Sequence, residues 1–280
     1  MIVPDVFLRA RRQALMARHL VNWREVWSTY SSASPMPPLR FRNGMIIHHA
    51  NRDSAGLLFF EIFANGCYRS GVPGVLSGDI VDIGANIGAF TLDAAMRYPT
   101  ATVHAYEPDS CTCETLRQNV EENGLSSRVR IWNEAVAGEA GTLRLWQGEG
   151  SVLTSAYLDA SARGVFRDVP AVTLETVVAR ASGRVGLLKM DCEGGEADIL
   201  EAGGSALDAV DYLVAEYHVA LVPDVLPRLR RVLEPSFDVT ISDGRPCGSI
   251  IRAHRTRAPQ RVAPTASRVV RLQAGGASVC

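Results

Sequence analysis

The residues best suited to chemistry fall in three short segments. The first runs Gly78-Asp79-Ile80-Val81-Asp82-Ile83-Gly84-Ala85-Asn86-Ile87-Gly88. An apolar strand there enters a small-residue bend of pattern D-x-G-x-N-x-G, and a helix begins at Ala89. Gly84 and Gly88 let the chain turn tightly and let a ligand approach the backbone. The next strand ends at Glu107, 19 residues beyond Gly88. An acid at that strand end can accept hydrogen bonds from both ribose hydroxyls of a nucleoside. A bend alone suits any turn. A bend and an acid at one sheet edge point to a nucleoside site. The G-x-G-x-x-G of nicotinamide dehydrogenases is missing.

The second segment is Lys189-Met190-Asp191-Cys192-Glu193-Gly194-Gly195-Glu196. Apolar Val185, Leu187 and Leu188 precede it, so charge appears abruptly at a strand end, where open α/β sheets face their ligand crevice. Three carboxylates this close need cations, hydrogen bonds or raised pKa values. Glu196 reads equally well as an acid in the first turn of a helix. Lys189 is the chain's single lysine and could pair with a carboxylate or contact substrate. The third segment is Glu216-Tyr217-His218. His218 has a strand-end context that His19, His48, His49, His104 and His254 lack. Its intrinsic pKa suits a base. Asp191, Glu193, Glu216 and His218 could instead hold a divalent ion, but their spacing names no metal and none is assigned.

Alternating strands and helices must position these groups. Strands are expected at Asp79–Ile83, Thr102–Tyr106, Val129–Trp132, Val185–Met190 and Tyr212–Tyr217. Helices are expected at about 89–97, 110–123, 194–202 and 222–233. That alternation predicts a parallel sheet with helices on both faces. Phe237–Ser242 and Ser249–Ala253 read as an antiparallel hairpin closing the sheet edge. Residues 5–30 carry a partly amphipathic helical pattern, ended by Ser34-Pro35-Met36-Pro37-Pro38. Asn43-Gly44 signals a hairpin with a type I′ turn. Residues 53–64 read as a helix. Residues 147–168 interrupt the alternation, as loops that set specificity often do.

Net charge is −1 over 280 residues, so no whole-chain basic field exists to hold nucleic acid. No N-P-P-Y-like or D-P-P-Y-like segment stands at a strand end, which disfavours methylation of DNA bases. No apolar run approaches a bilayer span and no secretory signal is read, so a cytoplasmic location is expected. The six cysteines show no C-x-x-C spacing and are expected to be reduced thiols. Arg255, Arg257, Arg261, Arg268 and Arg271 mark residues 254–280 as a solvated tail.

VDIGANIGAFTL with HAYEP resembles the S-adenosylmethionine-binding half of Rossmann-type methyltransferases. VTLETVV, VGLLKMDCEGGEADILEAG and YLVAEYH narrow this to a resemblance to the FkbM-like family, over about residues 40–253. The resemblance implies an α/β fold: a seven-stranded, mostly parallel Rossmann-type sheet with helices on both faces and a C-terminal antiparallel hairpin. It implies S-adenosylmethionine as methyl donor and a hydroxyl on a small-molecule acceptor, a natural product or sugar, as target. N- or carboxyl-methylation and a non-catalytic nucleoside-binding module are the alternatives. Asp82, Gly84, Asn86 and Gly88 would surround the methionine part of the cofactor, and Glu107 would hold the ribose. Glu134 and Ala135 would stand near adenine. Tyr68, Thr91 and Asp191 complete the implied cofactor set. His218, Asp191, Glu193 and Lys189 form the implied catalytic set. The expected division is an extension at residues 1–70, a methyltransferase domain at 71–253 and the tail. The N-terminal helix could be a lid, a dimer contact or a sheet cover.

Overall fold

The structure, a computed structural model, describes residues 5–30, 35–49, 52–148, 154–156, 164–244 and 247–256. The Arg-rich tail beyond Thr256, the Arg245-Pro246 turn, Ser34 of the proline break and parts of the 147–168 segment lie outside the described residues.

The helical pattern of residues 5–30 becomes two helices, α1 (Asp5–His19) and α2 (Trp23–Tyr30). The break has a physical cause. Leu20 is fully buried and bridges Phe41, while Asn22 accepts the Arg40 N–H and donates to the Pro38 carbonyl. Strands β1 (Leu39–Arg40) and β2 (Ile46–Ile47) form the expected hairpin. Its turn is not type I′. The Gly44 N–H bonds the Phe41 carbonyl, and of Asn43 and Gly44 only the glycine has positive φ. This is a three-residue loop closed by a left-handed glycine. Helix α3 (Arg52–Leu58) continues through Phe59–Ala64 as a wider π-helical turn, a departure often found at functional sites.

The sheet begins with β3 (Asp79–Ile83), α4 (Ala89–Arg97), β4 (Val103–Tyr106), α5 (Ser110–Glu122) and β5 (Val129–Trp132). A second sheet follows, built from β6 (Ala135–Val136), β7 (Gly141–Gly148), β8 (Thr154–Ser155) and β9 (Gly164–Val172) in the order β6-β9-β7-β8. It was not expected. Its longest pairing, β7 with β9, takes up the two ends of the segment read as a loop. The chain then supplies α6 (Leu174–Arg180), β10 (Val185–Met190), α7 (Glu196–Ala202), β11 (Val210–Glu216), α8 (Val225–Leu233), β12 (Phe237–Ser242) and β13 (Ile250–Arg255).

The main sheet has seven strands in the order β12-β13-β11-β10-β3-β4-β5. The five from β11 to β5 are parallel, and β13 and β12 are the antiparallel edge hairpin. Alternate side chains enter opposite cores. Ile80, Leu187 and Val214 face α4, α5 and the N-terminal segment, while Val81, Leu188 and Leu213 face α6, α7 and α8. The strand order turns around between β3 and β10, so their carboxyl ends open the crevice where such sheets bind ligands. Met16, Leu39, Phe41, Met45 and Phe59 share the first core, so the N-terminal segment is packed against the sheet's helices.

One expectation is overturned here. Cys67 and Cys247 form a disulfide across 180 residues of sequence, with Cα atoms 5.2 Å apart. Spacing could not reveal it, because only folding brings the segment before β3 beside the loop before β13. The thiols are therefore not all reduced, and cysteine usage does not support a reducing compartment. Cys111 is exposed and Cys113 buried, and both are free thiols. Among the described residues, no helix is long and apolar enough to cross a membrane.

Candidate active site

A cleft of about 760 Å³, mouth included, opens at the carboxyl ends of β3, β4 and β10. Gly84, Asn86, Glu107, Asp109, Glu134, Ala135, Asp191 and Glu193 line its polar side, while Ile83, Val136, Leu143 and Leu145 supply apolar wall. Leu143 and Leu145 come from β7, so the unforeseen second sheet roofs the cleft. A wider groove between that sheet and α7 shares Val136, Leu143, Leu145 and Cys192 with it.

The bend is held by close contacts. Gly84 has φ +74°, and a Cβ there would sit 1.8 Å from the Asp191 carbonyl oxygen. Gly88 has φ +89° and caps α4; a Cβ would meet Leu116 at 2.4 Å. Asn86 also adopts positive φ, 52°, which asparagine tolerates better than most residues. Its N–H donates to Glu107 Oε2 at 2.8 Å, and the Asp109 N–H donates to Glu107 Oε1 at 2.9 Å. Burial pushes the Glu107 carboxyl up to about 7, while these two N–H bonds restrain it. Glu107 thus joins the bend to the next strand and keeps lone pairs for a ligand.

Asp82 and Thr91 lie beneath the cleft, not on its wall. Both are fully buried, and the Thr91 hydroxyl donates to Asp82 Oδ2 at 2.6 Å. Lys189, buried within β10, places Nζ 3.1 Å from Asp82 Oδ1 and donates to the Gly84 carbonyl at 2.8 Å. Burial opposes its charge, but Asp82 and Asp191 outweigh that and raise its pKa. A lysine so held is a fixed cation under the bend, not a proton acceptor. Glu134 does line the cleft, yet its carboxylate is committed to Arg180 at 2.6 Å. The Arg180 guanidinium also stacks 3.9 Å above the Trp132 ring.

The β10 and β11 ends form a separate acidic corner. Glu193 adopts φ 53°, and burial raises its carboxyl to about 7. His218 Nε2 lies 3.3 Å from Glu193 Oε2 and 3.7 Å from Asp191 Oδ1. Its Nδ1 lies 3.1 Å from Glu196 Oε1. Burial opposes the imidazolium, but Glu196, Glu193 and Asp191 outweigh it and lift the pKa to about 9. Glu216 does not join this group. It turns to the Tyr68 hydroxyl at 3.0 Å, which also lies 2.9 Å from Glu61 Oε1 and 3.1 Å from Asp191 Oδ2. One phenol proton cannot serve three carboxylates. Burial, with Asp191 and Glu61 nearby, raises the Glu216 carboxyl to about 9, and burial raises Glu61 as well, so the pair holds a second proton.

Sequence reasoning missed Glu61 and left Glu196 evenly divided between the site and a helix first turn. Glu61 had a signal, a lone acid within Leu57-Leu58-Phe59-Phe60-Glu61-Ile62-Phe63. Glu196 had none beyond its place in the motif. Tyr68 meets Asp191 but does not line the cleft, and Gly88 shapes the bend from behind.

Comparisons with known proteins bear on this geometry. The family profile for the methyltransferase FkbM domain matches residues 82–234. The 31-O-demethyl-FK506 methyltransferase FkbM of Streptomyces tacrolimicus is 33% identical over 214 residues, covering 64% of this chain and 81% of the relative. Methyltransferase 1 of Beauveria bassiana is 32% identical over 177 residues, covering 56% and 70%. A crystal structure of methyltransferase FkbM from Methylobacillus flagellatus is 13% identical with a TM-score of 0.49, covering 89% of this chain and 59% of that one.

Proposed function

Because this chain belongs to the FkbM family of methyltransferases, we propose that it uses S-adenosylmethionine to methylate a hydroxyl of a small-molecule acceptor. The observation that carries the reading is the junction at Asp191. One end of the cleft offers Gly84, Asn86 and Glu107, the other Asp191 and Glu193 with His218 behind them. The donor set fits the cofactor. Carboxylates on the wall suit a ligand with a sulfonium and an ammonium, and Ile83, Val136 and Leu145 suit a purine. When bound, S-adenosylmethionine supplies an electrophilic methyl carbon on sulfur.

The residues of the chain do the rest. Gly84 and Asn86 would border the methionine part, Glu107 would accept from the ribose, and Ala135 with the apolar roof would border adenine. Lys189 and Asp82 hold the bend from beneath. A cofactor so held would give its methyl group to the acceptor oxygen and keep the electron pair of the broken carbon–sulfur bond on sulfur. The hydroxyl proton passes to His218 Nε2 while that ring is neutral. Alignment of the two reactants supplies much of the acceleration, and proton transfer to a placed base adds about 10²–10⁴-fold. The extension at residues 1–70 contributes Glu61 and Tyr68, which meet Asp191 and Glu216 beside the cleft. The groove beside α7 offers room for an acceptor larger than the reacting hydroxyl.

Calorimetry with S-adenosylhomocysteine tests the cofactor site, and labelled methyl transfer to hydroxyl, amine and carboxyl acceptors tests the chemistry. Absence of S-adenosylhomocysteine binding at millimolar concentration would overturn the reading. Labelling of amines alone would overturn the hydroxyl assignment.

A further inference from the structure

His218 is held from behind by a buried carboxylate. Glu196 opens α7 and is fully buried. An ordinary first-turn acid faces solvent and its own helix's N–H groups. Glu196 turns back instead. Its Oε1 accepts from the Cys192 N–H at 3.2 Å and the Gly194 N–H at 3.3 Å, both in the loop that carries Asp191 and Glu193. The same oxygen lies 3.1 Å from His218 Nδ1. One atom therefore ties the loop after β10 to the ring after β11.

We propose that Glu196 is the positioning residue of the transfer base: it fixes His218 with the proton on Nδ1 and leaves Nε2 as the acceptor facing Asp191 and Glu193. This rests on the methyl-transfer reading above. The physical reason is general. An imidazole is a base at one nitrogen only when the other holds its hydrogen, and a hydrogen-bond acceptor behind the ring decides which. Nε2 is on the cleft side, because its two neighbours, Asp191 and Glu193, are lining residues. Nδ1 is on the closed side, because Glu196 has no exposed surface. Glu196 needs no contact with substrate to act.

The charged groups around the ring are Glu196 on α7 and Asp191 and Glu193 on the loop, while Glu216, beyond them on β11, keeps its proton. Loss of any one makes the imidazolium less stable. The base then frees itself at lower pH but is a weaker proton acceptor.

The test compares Glu196→Gln with native protein. The amide oxygen can still accept from Cys192 and Gly194, so the loop keeps its shape. Three results are expected. S-adenosylhomocysteine affinity stays within about twofold. Turnover falls by about 10- to 100-fold. The acid limb of the turnover–pH profile moves down by about one pH unit, the size of one neighbouring charge. In a His218→Ala background, Glu196→Gln has little further effect on turnover, since the two act as one unit. An unmoved pH profile, or an equal loss of turnover in the His218→Ala background, would reduce Glu196 to a loop anchor and overturn the proposal. Loss of native activity on chelation, restored by a divalent ion, would also overturn it by making Nε2 a metal ligand.

A second measurement needs no acceptor. Nitrogen-15 NMR of the His218 ring should report hydrogen on Nδ1 in the neutral native protein, with titration about one pH unit lower in Glu196→Gln. A neutral ring with hydrogen on Nε2 would refute the placement whether or not methyl transfer is found. Failure of S-adenosylhomocysteine to bind would instead sink the cofactor reading and leave the ring result standing.

Discussion

At the β4 end of the crevice, Glu107 has each oxygen on a backbone N–H, from Asn86 and from Asp109. At the β11 end, Glu216 and Glu61 meet across the Tyr68 hydroxyl with Asp191 beside them. The first carboxylate is held by donors that cannot titrate. The second group is held by shared protons. On the proposed function, the difference separates two tasks on one sheet edge. A cofactor grip gains from fixed donors, set by the bend itself. A proton-handling corner needs groups whose charge can change. Between them stands Lys189, 3.1 Å from Asp82 and 3.9 Å from Asp191.

Breaking that central link should have the largest effect. Asp82→Ala leaves the buried Lys189 ammonium without its closest carboxylate and should cost about 3–5 kcal/mol of stability, read by denaturant unfolding. Such a variant weakens both ends at once, so loss of S-adenosylhomocysteine binding alone, with stability unchanged, would contradict the link. Next comes the disulfide behind the acidic corner. Its removal in Cys67→Ser/Cys247→Ser should cost about 2–5 kcal/mol. Thiol labelling before and after reduction checks that the bridge exists.

His218→Ala sharpens the division. Turnover should fall by about 10²-fold or more, with S-adenosylhomocysteine affinity within about twofold of native. Equal losses in both would erase the distinction between grip and base. Glu107→Ala is the mirror case. It should weaken S-adenosylhomocysteine by about tenfold, the scale of a lost charged hydrogen bond, and spare turnover at saturating cofactor.

The smallest effect is a slope. Glu216 keeps in the fold, up to about pH 9, a proton that an ordinary carboxyl loses near 4.5. Its contribution to stability is therefore largest at acid pH and falls as pH rises. His218 is raised from 6.5 to about 9, so its contribution is complete below 6.5 and is lost on passing 9. Both act in one direction, and the thermal midpoint should fall between pH 6.5 and 9. Glu216→Gln should flatten that fall.

Much of the scaffold was readable from local pattern. Asp79–Ile83, Val129–Trp132, Val185–Met190 and Phe237–Ser242 match the expected strands residue for residue, and Ala89–Arg97 matches the expected helix. Short apolar runs bounded by Gly, Pro and Asp leave little choice of element. The second sheet was missed because β7 and β9 carry weaker alternation, with Arg144, Arg167 and Asp168 among their residues. In the site, the glycine bend, Glu107, Asp191, Glu193 and His218 were visible as charge or small residues placed abruptly at strand ends. Glu61 was not, and Glu196 stood only evenly between site acid and helix acid, because each looks like an ordinary helix acid until its neighbours are known.

The order of residues alone determined an alternating α/β sheet, a small-residue bend and a row of acids at its edge. Those features follow from backbone conformation and burial along a few neighbouring residues. Folding in three dimensions decided which acid faces which base, that Lys189 is a buried counter-ion, and that Cys67 meets Cys247. Such pairings join residues from 22 to 180 positions apart. Charge, proton position and thiol chemistry act over a few ångströms of space, and sequence distance says nothing of that separation.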